Sequence, residues 1–150
     1  MPTSRVRHTA TAAAPPGRVW AALQEAGTWA GIGPIDEVWD ATHDDGGMLA
    51  GFRWSADAAG RRWEGTATTA EARSGERITL ALRSSEVRGT LTAALEGDGT
   101  GATRVDVSLD VEPAGLLAGM FWGVVSGAIR RGLPGHVEEF AARFSAAEPG

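Results

Sequence analysis

At 150 residues and 43% hydrophobic, the chain has the length of about one domain and enough apolar material for a core, which excludes global disorder. A net charge of −5 without a basic cluster excludes a nucleic-acid binder that relies on phosphate neutralisation. The absence of cysteine excludes disulfides, a thiol nucleophile and thiolate metal sites.

Residues 5–12 alternate, with Val6, His8, Ala10 and Ala12 on one face and Arg7, Thr9 and Thr11 on the other, the pattern of a half-buried strand with a histidine on its inner side. Ala14-Pro15-Pro16-Gly17 ends it, and Arg18 to Leu23 begins a short helix with proline at its first turn. Thr28 to Ile32 reads as a second short helical piece, stopped by Gly33-Pro34. Six further strands follow, over 35–41, 48–55, 61–72, 77–83, 87–96 and 102–112, separated by hairpin-length turn signals such as Asp44-Asp45-Gly46-Gly47 and Gly97-Asp98-Gly99-Thr100-Gly101. Short connections throughout imply an antiparallel meander with no βαβ unit. The chain closes with a long helix over 115–146, where Trp122, Val125, Ile129, Leu133, Val137, Phe140 and Phe144 recur at steps of three and four. Gly132-Leu133-Pro134-Gly135 predicts a kink or break within it. The segment before this flaw is too apolar for a simple clamp, and the expectation is that it borders a cavity mouth and is the more mobile or partner-bound half.

The N-terminal residues lack the continuous apolar run of a secretory signal, and the most apolar segment, 116–125, is well short of the roughly 20 residues of a membrane span. The expectation is a cytoplasmic protein of one domain spanning 1–150, with no membrane span and no nucleic-acid partner. The strand faces turned toward the helix carry Ile78, Leu80, Leu82, Leu91, Val107 and Leu109, but elsewhere small residues such as Ala10, Ala12, Gly65 and Ala67. Interiors are close-packed, so small side chains beneath a helix mean either close approach or a cavity; a ligand-sized cavity is expected here.

Ala13-Ala14-Pro15-Pro16-Gly17-Arg18-Val19-Trp20-Ala21-Ala22-Leu23 resembles the opening of the SRPBCC superfamily, the START-like helix-grip proteins. Arg61 to Ala67, followed by Gly75-Glu76-Arg77-Ile78, resembles strands of its polyketide cyclase/dehydratase-like branch. The resemblance covers about residues 5 to 146. It implies an α+β helix-grip fold: a curved seven-stranded antiparallel sheet, two short helices after the first strand and a long C-terminal helix over an apolar cavity. It also implies a small hydrophobic ligand, lipid-like or polyketide-like. It carries no universal catalytic motif, so no residue role transfers by motif.

Among individual residues, His8 is the candidate for proton transfer, since it faces inward and its type titrates near neutral pH; the alternative is a structural histidine. Phe52, Trp54, Trp63, Leu91, Phe121, Trp122, Val125 and Ile129, with Trp39 from the preceding strand, are the candidate ligand-lining residues; the indoles would stack on a flat apolar molecule. Arg53 and Glu64 fall on adjacent strands, and alternation turns both outward because Phe52, Trp54 and Trp63 want the interior. The acidic run 36–45 fits no calcium loop and the histidines at 8, 43 and 136 have no zinc spacing, so no metal or cofactor is expected. Three functions stand open: a cyclase or dehydratase acting through shape and His8, a carrier or sensor of a hydrophobic ligand, and an interaction module, in which Leu116, Leu117, Met120, Phe121 and Val124 would cover a homodimer contact.

Overall fold

The computed structural model describes residues 4–30, 35–58, 60–120 and 122–146. The expected stop at Gly31 to Pro34 and the candidate Phe121 lie outside them. In chain order the elements are β1 (Ser4–Ala12), α1 (Pro16–Leu23), α2 (Ala26–Trp29), β2 (Glu37–His43), β3 (Leu49–Ala58), β4 (Arg61–Arg73), β5 (Arg77–Arg83), β6 (Val87–Gly97), β7 (Thr103–Pro113), α3 (Leu116–Met120) and α4 (Trp122–Ala146).

The seven strands form one antiparallel sheet in the order β1-β7-β6-β5-β4-β3-β2. Only the β1–β7 pairing joins distant parts of the chain, with His8 opposite Val107 and Ala10 opposite Val105. Alternation sorts the two faces as the sequence expects: Ile78, Leu80, Leu82, Leu91, Ala93, Val105, Val107, Leu109 and Val111 are buried, while Arg77, Arg83, Arg88 and Arg104 between them are exposed. Arg53 and Glu64 both point to solvent, and register sets them opposite Thr66 and Ser55, not each other.

Helices α1 and α2 cover one end of the sheet. Proline enters α1 at its first turn, where its missing N–H has no partner to lose, and Val19, Trp20 and Leu23 supply the buried side. Trp29 is fully buried and its indole N–H donates to the Leu23 carbonyl at 3.0 Å.

The long helix α4 lies along β1. Arg130 Nε donates to Ser4 Oγ at 3.2 Å, and His8 Nε2 meets Glu138 Oε1 at 2.9 Å. Val125, Ile129, Leu133, Val137, Phe140 and Phe144 are buried at the expected helical spacing, with the Phe140 and Phe144 rings edge-to-face at 5.4 Å. Of the kink or break expected at Gly132–Gly135, the break does not occur: α4 runs as one helix from Trp122 to Ala146 with Pro134 inside it. Leu133 and Val137, both wholly buried, hold the turns on either side, and tertiary packing outweighs a local penalty of about 3 kcal/mol.

Candidate functional site

Between the sheet and the first half of α4 lies an apolar cavity of about 50 Å³. Ile35, Trp54, Ala56, Trp63, Leu82, Val87, Leu109 and Val111 line it from the sheet side; Val125, Ala128 and Ile129 close it from the helix. Each lining side chain is placed by a simple local rule. Leu82, Leu109 and Val111 are inward positions of alternating strands, Trp54 and Trp63 are inward positions of the β3–β4 hairpin, and Val125 and Ile129 stand one turn apart on α4.

The small-residue inner face has a physical cause. Trp54 and Gly65 are cross-strand partners, and a Cβ at Gly65 would stand 2.6 Å from the Trp54 ring. The glycine lets the indole lie flat across β4. The Trp54 N–H is also satisfied, donating to the Thr66 carbonyl at 2.9 Å. Space that alternation alone would leave empty is therefore occupied by tryptophan. This corrects the expected ligand-sized cavity: 50 Å³ is room for one or two waters, far below the ~300 Å³ or more of a typical small-molecule pocket.

Of the sequence candidates, the fold brings Trp54, Trp63, Val125 and Ile129 together around the cavity. Phe52 and Leu91 are buried one position away, Phe52 in the same cross-strand row as Leu82 and Val111, and Leu91 opposite Leu109. Trp122 is half-buried against the core just before the helix reaches the cavity. Trp39 is on the wrong side for a lining residue. It pairs in register with Arg53 on the outer face, beneath the Arg62 guanidinium at 5.9 Å, while its neighbour Val38 turns inward opposite Trp54. Alternation already turns Val87 inward, but Ile35, Ala56 and Ala128 escape a reading of the sequence, because small or isolated apolar residues carry no signal of a shared wall.

His8 does lie on the inner side of β1, yet it is not part of the cavity wall. It sits at the β1–α4 seam, 30% exposed, bonded to the more exposed Glu138. Among the described residues, no titratable side chain lines the cavity. On the outer face the charged groups are strongly arranged: Arg7 holds the Asp106 carboxyl below the usual carboxylate range through its hydrogen bonds and charge, against the opposing effect of partial burial. Asp44 belongs to structure, its Oδ1 accepting from the Gly46 and Met48 N–H groups to close the hairpin. Among the described residues, no helix is long and apolar enough to cross a membrane.

Ahead of the cavity-lining residues of α4 come α3 and the first turn of α4. There Leu116 is 78%, Met120 66% and Val124 52% exposed, an apolar stripe at steps of four residues.

Comparison with known proteins gives this architecture a context. A family model described as "Polyketide cyclase / dehydrase and lipid transport" matches residues 3–145. Among solved structures, a START superfamily protein from Mycobacterium smegmatis matches at TM-score 0.62 and 17% identity, covering 87% of this chain and 97% of its own. A protein from Thermus thermophilus matches at 0.71 and 20% identity, covering 97% and 99%. The Zhui aromatase/cyclase from a Streptomyces species matches at 0.57 and 22% identity, covering 97% and 88%. At these identities the structural matches speak for the fold alone. No curated protein sequence matches. The family model spans nearly every element from β1 to α4, and the chain belongs to the polyketide cyclase/dehydrase and lipid transport family, with the helix-grip fold of START-like proteins.

Proposed function

We propose that this protein binds a small hydrophobic molecule in the cavity beneath α4 and carries or senses it without chemical change. The observation that carries this reading is the cavity wall itself, eleven side chains without a single titratable group. General acid–base chemistry needs a proton donor or acceptor within hydrogen-bond reach of the reacting atom. An all-apolar wall offers area burial instead, about 25 cal/mol per Å² of apolar surface removed from water.

At 50 Å³ the cavity admits such a molecule only if it widens. The segment that moves in this reading is α3 with the first half of α4. It is pinned at its start by the loop before β6 and farther on by β1, and carries exposed glycines at 119 and 123 between the pins. The exposed stripe Leu116, Met120 and Val124 then forms the rim that a ligand crosses. A second copy covering that stripe would make a homodimer, which the solution masses of wild type and Met120→Asp test.

A second reading keeps cyclase or dehydratase chemistry, and the His8–Glu138 contact favours it: a carboxylate 2.9 Å from an imidazole orients the ring for proton transfer. The test is native mass spectrometry of protein purified from its own host, on wild type and on Ala128→Trp, which fills the cavity from the helix side. A bound hydrophobic molecule in the first and none in the second supports the binding reading. A ligand retained equally by both variants overturns it.

A further inference from the structure

The outer face of the sheet, opposite the cavity, carries a row of arginines whose charge the fold leaves unbalanced. Register sets Trp39, Arg53, Thr66, Arg83, Arg88 and Glu112 side by side across β2 to β7. Phe52, Ala67, Leu82 and Val111, the adjacent row, are buried, which fixes this one on the solvent side. Arg83 and Arg88 are direct cross-strand partners, a like-charge juxtaposition that destabilises a sheet. Glu112 reaches Arg88 at 3.3 Å at one end of the row. Among the described residues, no carboxylate pairs with Arg53 or Arg83, and nearby Glu64 is turned to Arg62 at 3.7 Å. Elsewhere on this face Arg5 pairs with Asp110, Arg7 with Asp106, Arg73 with Glu71 and Arg104 with Glu96, while Arg77, opposite Arg73, has no carboxylate partner among the described residues. A chain of net charge −5 thus keeps three arginines against one acid in a single row.

We propose that this row is a docking surface for an acidic segment of a partner protein, with carboxylates seated on Arg53, Arg83 and Arg88. Neighbouring strands lie about 4.8 Å apart, so Arg53 and Arg88 stand roughly 15 Å apart across the strands, with Arg83 between them. That span is too long for one phosphate or carboxylate and suits two or three acidic side chains along one partner segment. Thr66 within the row and Ala81 and Thr90 beside it are short, and let a partner approach the sheet closely. The strongly negative whole chain disfavours a nucleic acid as occupant. This surface is independent of what the cavity holds.

The test is a titration with fluorescein-labelled polyglutamate on wild type, on Arg53→Ser/Arg83→Ser and on Arg73→Ser/Arg77→Ser. The last pair loses the same charge at the other cross-strand arginine pair of this face. The expected result is salt-sensitive binding to wild type, weakened about tenfold by the first pair and little changed by the second. Equal loss in both pairs, no binding to wild type, or tighter binding of a thymidine oligonucleotide would overturn the proposal. Thermal unfolding of Arg83→Ser gives a second readout. A midpoint at or above wild type supports a row kept for a partner, and a lower midpoint marks Arg83 as structural and counts against it.

Discussion

Glu86 Oε1 accepts a hydrogen bond from the Ala118 backbone N–H at 3.0 Å, tying the loop before β6 to the first turn of α3. The Glu86 carbonyl also accepts from the Ala114 and Gly115 N–H groups at 2.7 and 3.1 Å. Residue 115 is glycine for a steric reason, since a Cβ there would stand 2.5 Å from the Glu86 carboxylate. A carboxylate at a helix start satisfies an orphan donor and meets the positive end of the peptide dipoles. Glu86→Ala is therefore expected to lose about 1 kcal/mol of stability. It should also speed hydrogen exchange at the Ala118 and Gly119 amides, and Gly115→Ala should do the same by displacing the carboxylate. Unaltered exchange at those amides in both variants would mean that this contact does not hold the segment.

Filling the cavity separates packing from binding. Ala56 lies on its wall, and its conversion to Val adds two methyl-sized groups to a 50 Å³ space. Residual cavity carries a penalty of about 24 cal/mol per Å³, so Ala56→Val is expected to stabilise the protein by up to roughly 1 kcal/mol while weakening uptake of a hydrophobic ligand. Urea unfolding and ligand titration on the same samples measure both. Loss of stability together with undiminished ligand affinity would mean that the ligand sits elsewhere.

His8 distinguishes the two functional readings. Its contact with Glu138 is partly exposed, and pairs of this kind contribute about 0–1 kcal/mol. His8→Ala is expected to leave ligand affinity unchanged and to cost less than about 1 kcal/mol. A substrate whose turnover collapses in His8→Ala while its binding persists would move the protein into the catalytic class.

Much of this is legible in the sequence, and the misses have physical causes. Period-two alternation in β5, β6 and β7, with turn signals between them, is enough to place the sheet, and the steps from Val125 to Phe144 place the helix on it. Alternation cannot report cross-strand register. Bulk alone therefore turns Trp39 inward, although its neighbour Val38 takes the inner position opposite Trp54. The partner of His8 lies 130 residues away on α4, beyond any local pattern. Pro134 does not end the helix, because the buried Leu133 and Val137 hold the turns on either side. Cavity size depends on how Trp54 lies across Gly65, a choice of rotamer that no residue spacing encodes.

The Arg7–Asp106 pair gives an acid-side expectation. The Asp106 carboxyl is lowered, first by its hydrogen bond to Arg7, so its contribution is fully present above the ordinary carboxylate value. That contribution is lost as pH falls through the lowered folded value, which places the loss below about pH 4. Asp106→Asn should therefore be less stable than wild type at neutral pH, with the difference shrinking as pH drops below about 4. Urea midpoints of both proteins across that range measure it, and a difference that does not change with pH would exclude the pair as its source.

The central claim, a hydrophobic ligand held beneath the first half of α4, is tested most directly by methyl NMR during titration with naphthalene. Saturable shifts are expected at Leu82, Leu109, Val111, Val125 and Ile129, with faster amide exchange from Ala118 to Ala128 than from Val137 to Phe144. Shifts confined to the exposed Leu116, Met120 and Val124, with the cavity methyls silent and both halves of the helix equally protected, would contradict it.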